Sequence, residues 1–216
     1  MSPTDDTYYD GINKQLPTGS SNGLAYVDSG FGTVLKIQFV KKIYGKTSEK
    51  EDAEGSLTYT GRLGDVMKES LDVVKVAVFN YIKEHKNLDS KFNKEDYHLH
   101  VPQGATPKDG PSAGTSLFAA LMSIAINKPV GANLAMTGEI TTLGEVISIG
   151  GVREKLTACK NHQITRVILP LSNKKNVAKL PDEFKKGFKI FYVTNTDQLF
   201  SICFNTTPTQ TNFDEL

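Results

Sequence analysis

The clearest hydrophobic periodicity lies in residues 64–86, GDVMKESLDVVKVAVFNYIKEHK, where Met67, Leu71, Val74, Val78 and Tyr81 fall at i, i+4, i+7, i+11 and i+14. That spacing draws one stripe along an α-helix, with Lys and Glu on the remaining surface. A compact apolar helix is expected over about 112–126, another over 152–162 (VREKLTACKNH), and a short one over 197–204. Strands show the shorter period. In TVLKIQFV (33–40), Leu35, Ile37 and Phe39 alternate with Lys36 and Gln38, and GLAYVDSG (23–30) precedes it across a Gly-containing turn. YHLHVP (97–102) places His98 and His100 on one side and Leu99 and Val101 on the other. Further strand-like runs occupy 56–60, 132–140, 145–151, 165–170 and 188–193. Strands and helices alternate without a repeat, so the expected class is α/β (α+β), a compact domain with mixed sheets and packed helices.

The segments between these elements set the boundaries. Residues 1–22 are rich in Thr, Ser, Asp, Asn and Gly and read as a tail or linker remnant; 23–204 form the domain; 205–216 read as a flexible C-terminal tail. KKIYGKTSEKEDAEG (41–55) holds eight charged residues and reads as a surface loop. Its GKT is not a phosphate-binding loop, because that motif needs a glycine where this chain has Val40. The length of 216 residues suits one domain of the usual ~150-residue scale with short tails. A net charge of +1 supplies no field to draw in nucleic acid or anionic lipid, and neither is an expected partner. The apolar run Leu117 to Ile126 is well short of the ~20 residues of a membrane span. The acidic, polar N-terminus resembles neither a signal peptide nor a transit peptide. Cys159 and Cys203 form no CxxC or Cys/His pattern, so neither a disulfide scaffold nor a zinc site is expected.

Candidate chemistry concentrates in PKDGPSAG, 107–114. Asp109-Gly110-Pro111 reads as a turn leading into a helix, with Pro111 suited to the first helical position. Ser112 then lies in a first turn, where amides lack helical partners and the dipole is positive. A hydroxyl beside free amides is half of an acyl-transfer site, with the backbone at Gly110, Ser112 and Ala113 as the oxyanion donors; it is equally the description of a serine that caps a helix. A nucleophile needs a base. His85 and His162 sit near helix ends, whereas His98 and His100 share a face ahead of the serine loop and could form a triad with Asp109. A lysine is the other option, provided burial or a cation lowers its pKa from ~10.4. Lys155, in GGVREKLTAC, borders the inner side marked by Val152 and Leu156 at a helix N-terminus; the bland reading is a solvated lysine.

HLHVPQGATPKDGPSAG (98–114) and AMTGEITTLGEVISIGGVREKLTAC (135–159) closely resemble the active-site segments of Lon proteases. The resemblance extends through GLAYVDSG, SLTYTGRLGDVMKES and TRVILPLSNKKNVAKLP, and covers about 23–204. It implies a serine–lysine dyad with Ser112 as nucleophile and Lys155 as base, 43 residues apart. Where many relatives carry a lysine two positions earlier, this chain has Arg153, which does not readily deprotonate. The resemblance further implies that Thr137 hydrogen-bonds the lysine, that Glu139 organises its surroundings, that Asp109 can gate the site, and that His98 and His100 support it. Gln103 in place of the usual glutamate, Ile147-Ser148 in place of Leu-Pro, and the charged 41–55 loop depart from the pattern without touching the dyad. By the same resemblance the substrates are unfolded or damaged polypeptides, the working assembly is a hexameric ring, the dyad needs no metal or organic cofactor in this domain, and ATP and Mg are expected only in an ATPase module absent from this chain. The compartment implied is the mitochondrial matrix, with bacterial cytoplasm as the alternative. Two other classes remain open: a non-proteolytic Lon-like binding or assembly module, and a Ser-His hydrolase using His98 or His100.

Overall fold

A computed structural model describes residues 14–27, 30–42, 55–85, 88, 92–102 and 108–204. Residues 43–54 of the expected loop 41–55, its GKT included, lie outside the described residues, as do Gln103 and the C-terminal tail. Nine strands are seen among the described residues: β1 (Ser20–Val27), β2 (Phe31–Lys41), β3 (Leu57–Thr60), β4 (Tyr97–His100), β5 (Leu134–Met136), β6 (Glu139–Ile140), β7 (Val146–Ile147), β8 (Arg166–Pro170) and β9 (Lys189–Val193). The helices are α1 (Asp65–Glu84), α2 (Gly114–Ala125), α3 (Val152–Asn161), α4 (Lys174–Ala178), α5 (Asp182–Lys185) and α6 (Thr196–Phe204).

Seven strands form one mixed sheet in the order β3-β4-β2-β1-β5-β8-β9, and β6 and β7 pair as a separate antiparallel ribbon. β2 is antiparallel to both β1 and β4, while β5, β8 and β9 add to β1 in parallel. Strand alternation divides the apolar residues between two cores. Leu35, Ile37, Phe39, Leu99, Met136 and Ile168 pack with α1, α2 and α6 on one face. Leu24, Val34, Ala135, Val167 and Leu169 pack with α3 and α4 on the other. The expected stripe Met67, Leu71, Val74, Val78, Tyr81 is the buried side of α1. α2 is buried from Gly114 through Ser123, which explains its apolar composition all round: it runs between the sheet and α1. It lies so close to β1 that a Cβ at Gly23 would sit 2.6 Å from Ser116 Oγ.

Several boundaries differ from the sequence expectation. Residues 14–22 of the polar lead belong to the packed domain: Leu16 is buried, its amide donates to Val130 O at 2.8 Å, and Asn22 donates to Ala132 O and Leu134 O. The expected strand 132–140 breaks into β5 and β6 because Thr137 and Gly138 turn aside to other partners, and 145–151 contracts to β7. α4 and α5 have no counterpart in the pattern. One buried polar atom stands out on α2. Thr115 Oγ1 is fully buried with no hydrogen-bond partner among the described residues. An unsatisfied buried hydroxyl costs about 1–3 kcal/mol, so Thr115→Val is expected to raise the thermal midpoint by about 2–4 °C per kcal/mol recovered. Calorimetry checks this.

Candidate active site

Ser112 sits in a 3₁₀ turn, Pro111–Ala113, that leads directly into α2. Pro111 takes the first helical position as expected, and Gly110 ahead of it has φ 100° and ψ 153°, a conformation essentially restricted to glycine. The amide of Ser112 precedes the first bond that such a turn makes, so it remains a donor at the positive end of the helix. The turn is fixed from behind by the crossing after β5. Gly138 N donates to Ser112 O at 3.0 Å, and Thr115 N donates to Gly138 O at 3.0 Å. Both glycines are required by this approach: a Cβ at Gly114 would meet Ile140 N at 2.9 Å, and one at Gly138 would meet Thr115 Cγ2 at 2.7 Å.

Lys155 is delivered from the opposite face of the sheet, in the first turns of α3. Gly151, with φ 67°, starts that helix, and Lys155 N donates to Gly151 O at 3.0 Å. α3 packs on β2 at Gly32, where a Cβ would lie 2.0 Å from Glu154 O. This backbone-to-backbone approach buries Lys155 to 2 % exposure. Burial is also the cause of its titration: removing the ammonium from water lowers the pKa from 10.5 to about 8. The loop entering α3 is held by Asn173, whose Oδ1 accepts from Ile149 N at 3.0 Å and whose Nδ2 donates to Ile149 O at 2.9 Å. Sequence reasoning gave Asn173 no role. Its contacts reach 24 residues back, and only its place in the SNKKN run hinted at significance.

Thr137 joins the two halves. Lys155 Nζ donates to Thr137 Oγ1 at 3.1 Å, and Thr137 Oγ1 donates to Ser112 O at 3.0 Å. Among the described residues the lysine and the serine are thus linked through this threonine, and no hydrogen bond joins Ser112 Oγ to Lys155 Nζ directly. A catalytic bond of that kind often closes only when substrate is bound. The partnership of Thr137 with the lysine, which the family resemblance implied, is present. Thr137→Val keeps the shape and deletes both bonds. It is expected to lower kcat about 10- to 100-fold with little change in KM, and to move the pH midpoint of activity downward, because the ammonium loses its acceptor. Steady-state kinetics across pH 6–10 checks both.

The other expected residues lie elsewhere. Asp109 Oδ1 accepts from Met67 N at 3.1 Å, so its carboxylate is directed to the start of α1, with no bond to Lys155 among the described residues. His98 Nδ1 and Nε2 lie 2.8 and 3.0 Å from Thr58 Oγ1 and Thr60 Oγ1, and His100 Nδ1 lies 2.8 Å from Thr60 Oγ1. These are cross-strand contacts between β4 and β3, and neither histidine bonds Ser112 or Asp109 among the described residues. Glu139 is on β6 opposite Ile147, and its side chain makes no hydrogen bond among the described residues. No group of three or more His, Cys, Asp or Glu among the described residues is arranged to hold a metal ion.

The family described as the Lon protease C-terminal proteolytic domain matches residues 4–206. The chain is a member of the Lon protease family. A mitochondrial Lon protease homologue of Phaeodactylum tricornutum is 38% identical over 203 residues, covering 94% of this chain and 23% of that protein. The mitochondrial Lon protease homologue of Bos taurus is 38% identical over 188 residues, covering 87% and 20%. A Lon protease of Endomicrobium trichonymphae is 40% identical over 194 residues, covering 90% and 23%. The chain therefore spans about a fifth of the length of these Lon relatives and corresponds to their proteolytic domain.

Proposed function

We propose that this Lon proteolytic domain hydrolyses peptide bonds through an acyl-enzyme formed on Ser112, with Lys155 as the general base and acid. The observation that carries the reading is the burial of Lys155 next to the serine-bearing turn. Holding an ammonium at a pKa of about 8 against 10.5 opposes its charged form by about 3 kcal/mol. A binding or assembly module gains nothing from such a cost, whereas a general base needs it.

Neutral Lys155 Nζ takes the proton of Ser112 Oγ as the oxygen attacks the peptide carbonyl carbon. The amide of Ser112 and the neighbouring backbone at Gly110 and Ala113 donate to the developing oxyanion, aided by the α2 N-terminus. The Lys155 ammonium then gives its proton to the leaving amine, the C–N bond breaks, and the acyl group stays on Ser112. Water, deprotonated by Lys155, attacks the ester carbonyl carbon, the bond from that carbon to Ser112 Oγ breaks, Lys155 returns the proton to Oγ, and the new C-terminal acid leaves as its carboxylate. Thr137 holds Lys155 Nζ and the Ser112 carbonyl at once, which keeps base and nucleophile in register. Every proton in this sequence moves between Ser112, Lys155, substrate and water.

Family membership supports unfolded polypeptide as the substrate class and a homo-oligomeric ring, hexameric in the intact protein, as the working assembly. The mitochondrial relatives support a mitochondrial matrix location, with the Endomicrobium relative marking the bacterial alternative. The test is hydrolysis of an unfolded polypeptide by the wild-type chain, Ser112→Ala and Lys155→Ala. Wild-type turnover in both variants would overturn the dyad. Collapse on losing His98 or His100 alone would instead favour the histidine mechanism.

A further inference from the structure

Ahead of the turn that bears Ser112, Lys108 and Asp109 attach the chain to the first turn of α1 and to the segment 61–64 that leads into it. α1 opens without a side-chain cap of its own, because Gly64 is at the capping position. The missing acceptor arrives from 45 residues away. Asp109 Oδ1 accepts from Met67 N, the third helical amide, which is the donor an N-cap side chain ordinarily satisfies. Gly64 is the cradle for that carboxylate: a Cβ there would lie 2.4 Å from Asp109 Cγ and 2.6 Å from Oδ1. The negative charge also stands at the positive end of a 20-residue helix. Lys108 supplies the second attachment. Its backbone forms a strand-like bridge beside Leu63, with Gly64 N donating to Lys108 O at 2.7 Å and Lys108 N donating to Arg62 O at 3.2 Å. Its side chain is buried at 5 % exposure, and Nζ donates to Gly61 O at 3.1 Å.

We propose that Lys108 and Asp109 are positioning residues that clamp the Ser112 turn to the N-terminus of α1, with Gly64 as the receptor for the Asp109 carboxylate. The inference rests on the reading of Ser112 as the nucleophile for its catalytic consequence, but the clamp is a property of the fold. Gly110 lies one residue beyond Asp109 in its glycine-only conformation, so the direction in which Pro111 and Ser112 leave the clamp is set at that residue. Loss of the carboxylate frees one end of this short connection, and the Ser112 amide and hydroxyl lose their fixed relation to Thr137 and Lys155. Asp109 acts through the turn and touches no reacting atom.

Amide hydrogen exchange on the 216-residue chain tests the clamp without depending on turnover. Asp109→Ala is expected to speed exchange about tenfold at Met67 and at the amides of 112–116 together, the size of one lost cap. Asp109→Asn keeps an acceptor oxygen and is expected to stay within about threefold of wild type. Gly64→Ala, far from the serine in sequence, is expected to reproduce the Asp109→Ala pattern because its Cβ expels the carboxylate. In parallel, a tripeptide boronate that adds to a serine hydroxyl is expected to bind about tenfold more weakly to Asp109→Ala and Gly64→Ala and normally to Asp109→Asn. Faster exchange confined to Met67, with 112–116 unchanged, would show a helix cap and nothing more, and would overturn the proposal. So would unchanged boronate affinity in both variants. Equal boronate binding by Ser112→Ala and wild type would overturn the nucleophile assignment instead, while the exchange data would still decide the clamp.

Discussion

Lys155→Met is expected to abolish peptide hydrolysis while making the folded chain more stable at neutral pH. The loss of activity is expected to reach several orders of magnitude, as when a member of a nucleophile–base pair is removed elsewhere. The gain in stability has the opposite sign to most core substitutions, and it follows from the titration. The folded-state pKa of Lys155 is about 8, below the ordinary 10.5. Folding therefore disfavours the ammonium. The penalty is absent above pH 10.5, grows as the pH falls toward 8, and is fully present below 8, where it amounts to about 3 kcal/mol. Methionine has a similar length, fits irregular apolar space and carries no charge. Thr137 loses a donor but keeps its own bond to Ser112 O, so it is not orphaned. Chemical denaturation at pH 7 should show the variant more stable by about 1–3 kcal/mol, and the difference should close as the pH approaches 10.5. Equal stability at both pH values would mean that Lys155 is solvated and is not the base.

Ser112→Ala is expected to remove turnover by a factor of about 10³ or more and to leave stability within about 0.5 kcal/mol of wild type. Its hydroxyl makes no hydrogen bond among the described residues, and the turn is held by its backbone carbonyl through Gly138 N and Thr137 Oγ1, which the substitution preserves. The pKa of Lys155 should also stay near 8 in this variant, since burial, and no bond from the serine, lowers it. Peptide hydrolysis and denaturation measured on the same samples check the pair of expectations. The two variants are therefore distinguishable by stability even though both are inactive.

How legible these features were in the sequence depended on whether their causes were local. The stripe of α1 is a local period and its residues are buried as read. The helix start at Pro111 needs only the Gly-Pro pair, and it occurs where the pair places it. Lys155 was ambiguous because its burial is decided by Gly32, more than a hundred residues earlier, where two backbones meet without side chains between them. The polar lead 14–22 looked unstructured because its hydrogen bonds go to residues near 130, and no local pattern encodes them. Asp109 could be seen to precede the nucleophile, but not that its partner is the start of α1, because the signal is the absence of a side chain at Gly64. His98 and His100 were placed correctly on one strand face. The threonines that occupy their ring nitrogens come from β3, whose parallel pairing with β4 is not visible in either strand alone.

The central claim is that a buried lysine activates Ser112, and the most direct measurement is the pH dependence of the acylation rate in single turnovers. A rate that rises with pH through a single midpoint near 8, retained when His98 and His100 are replaced, is the predicted result. A midpoint near the ordinary histidine value of ~6.5, or a rate still climbing toward the free-lysine value with no inflection near 8, would contradict it.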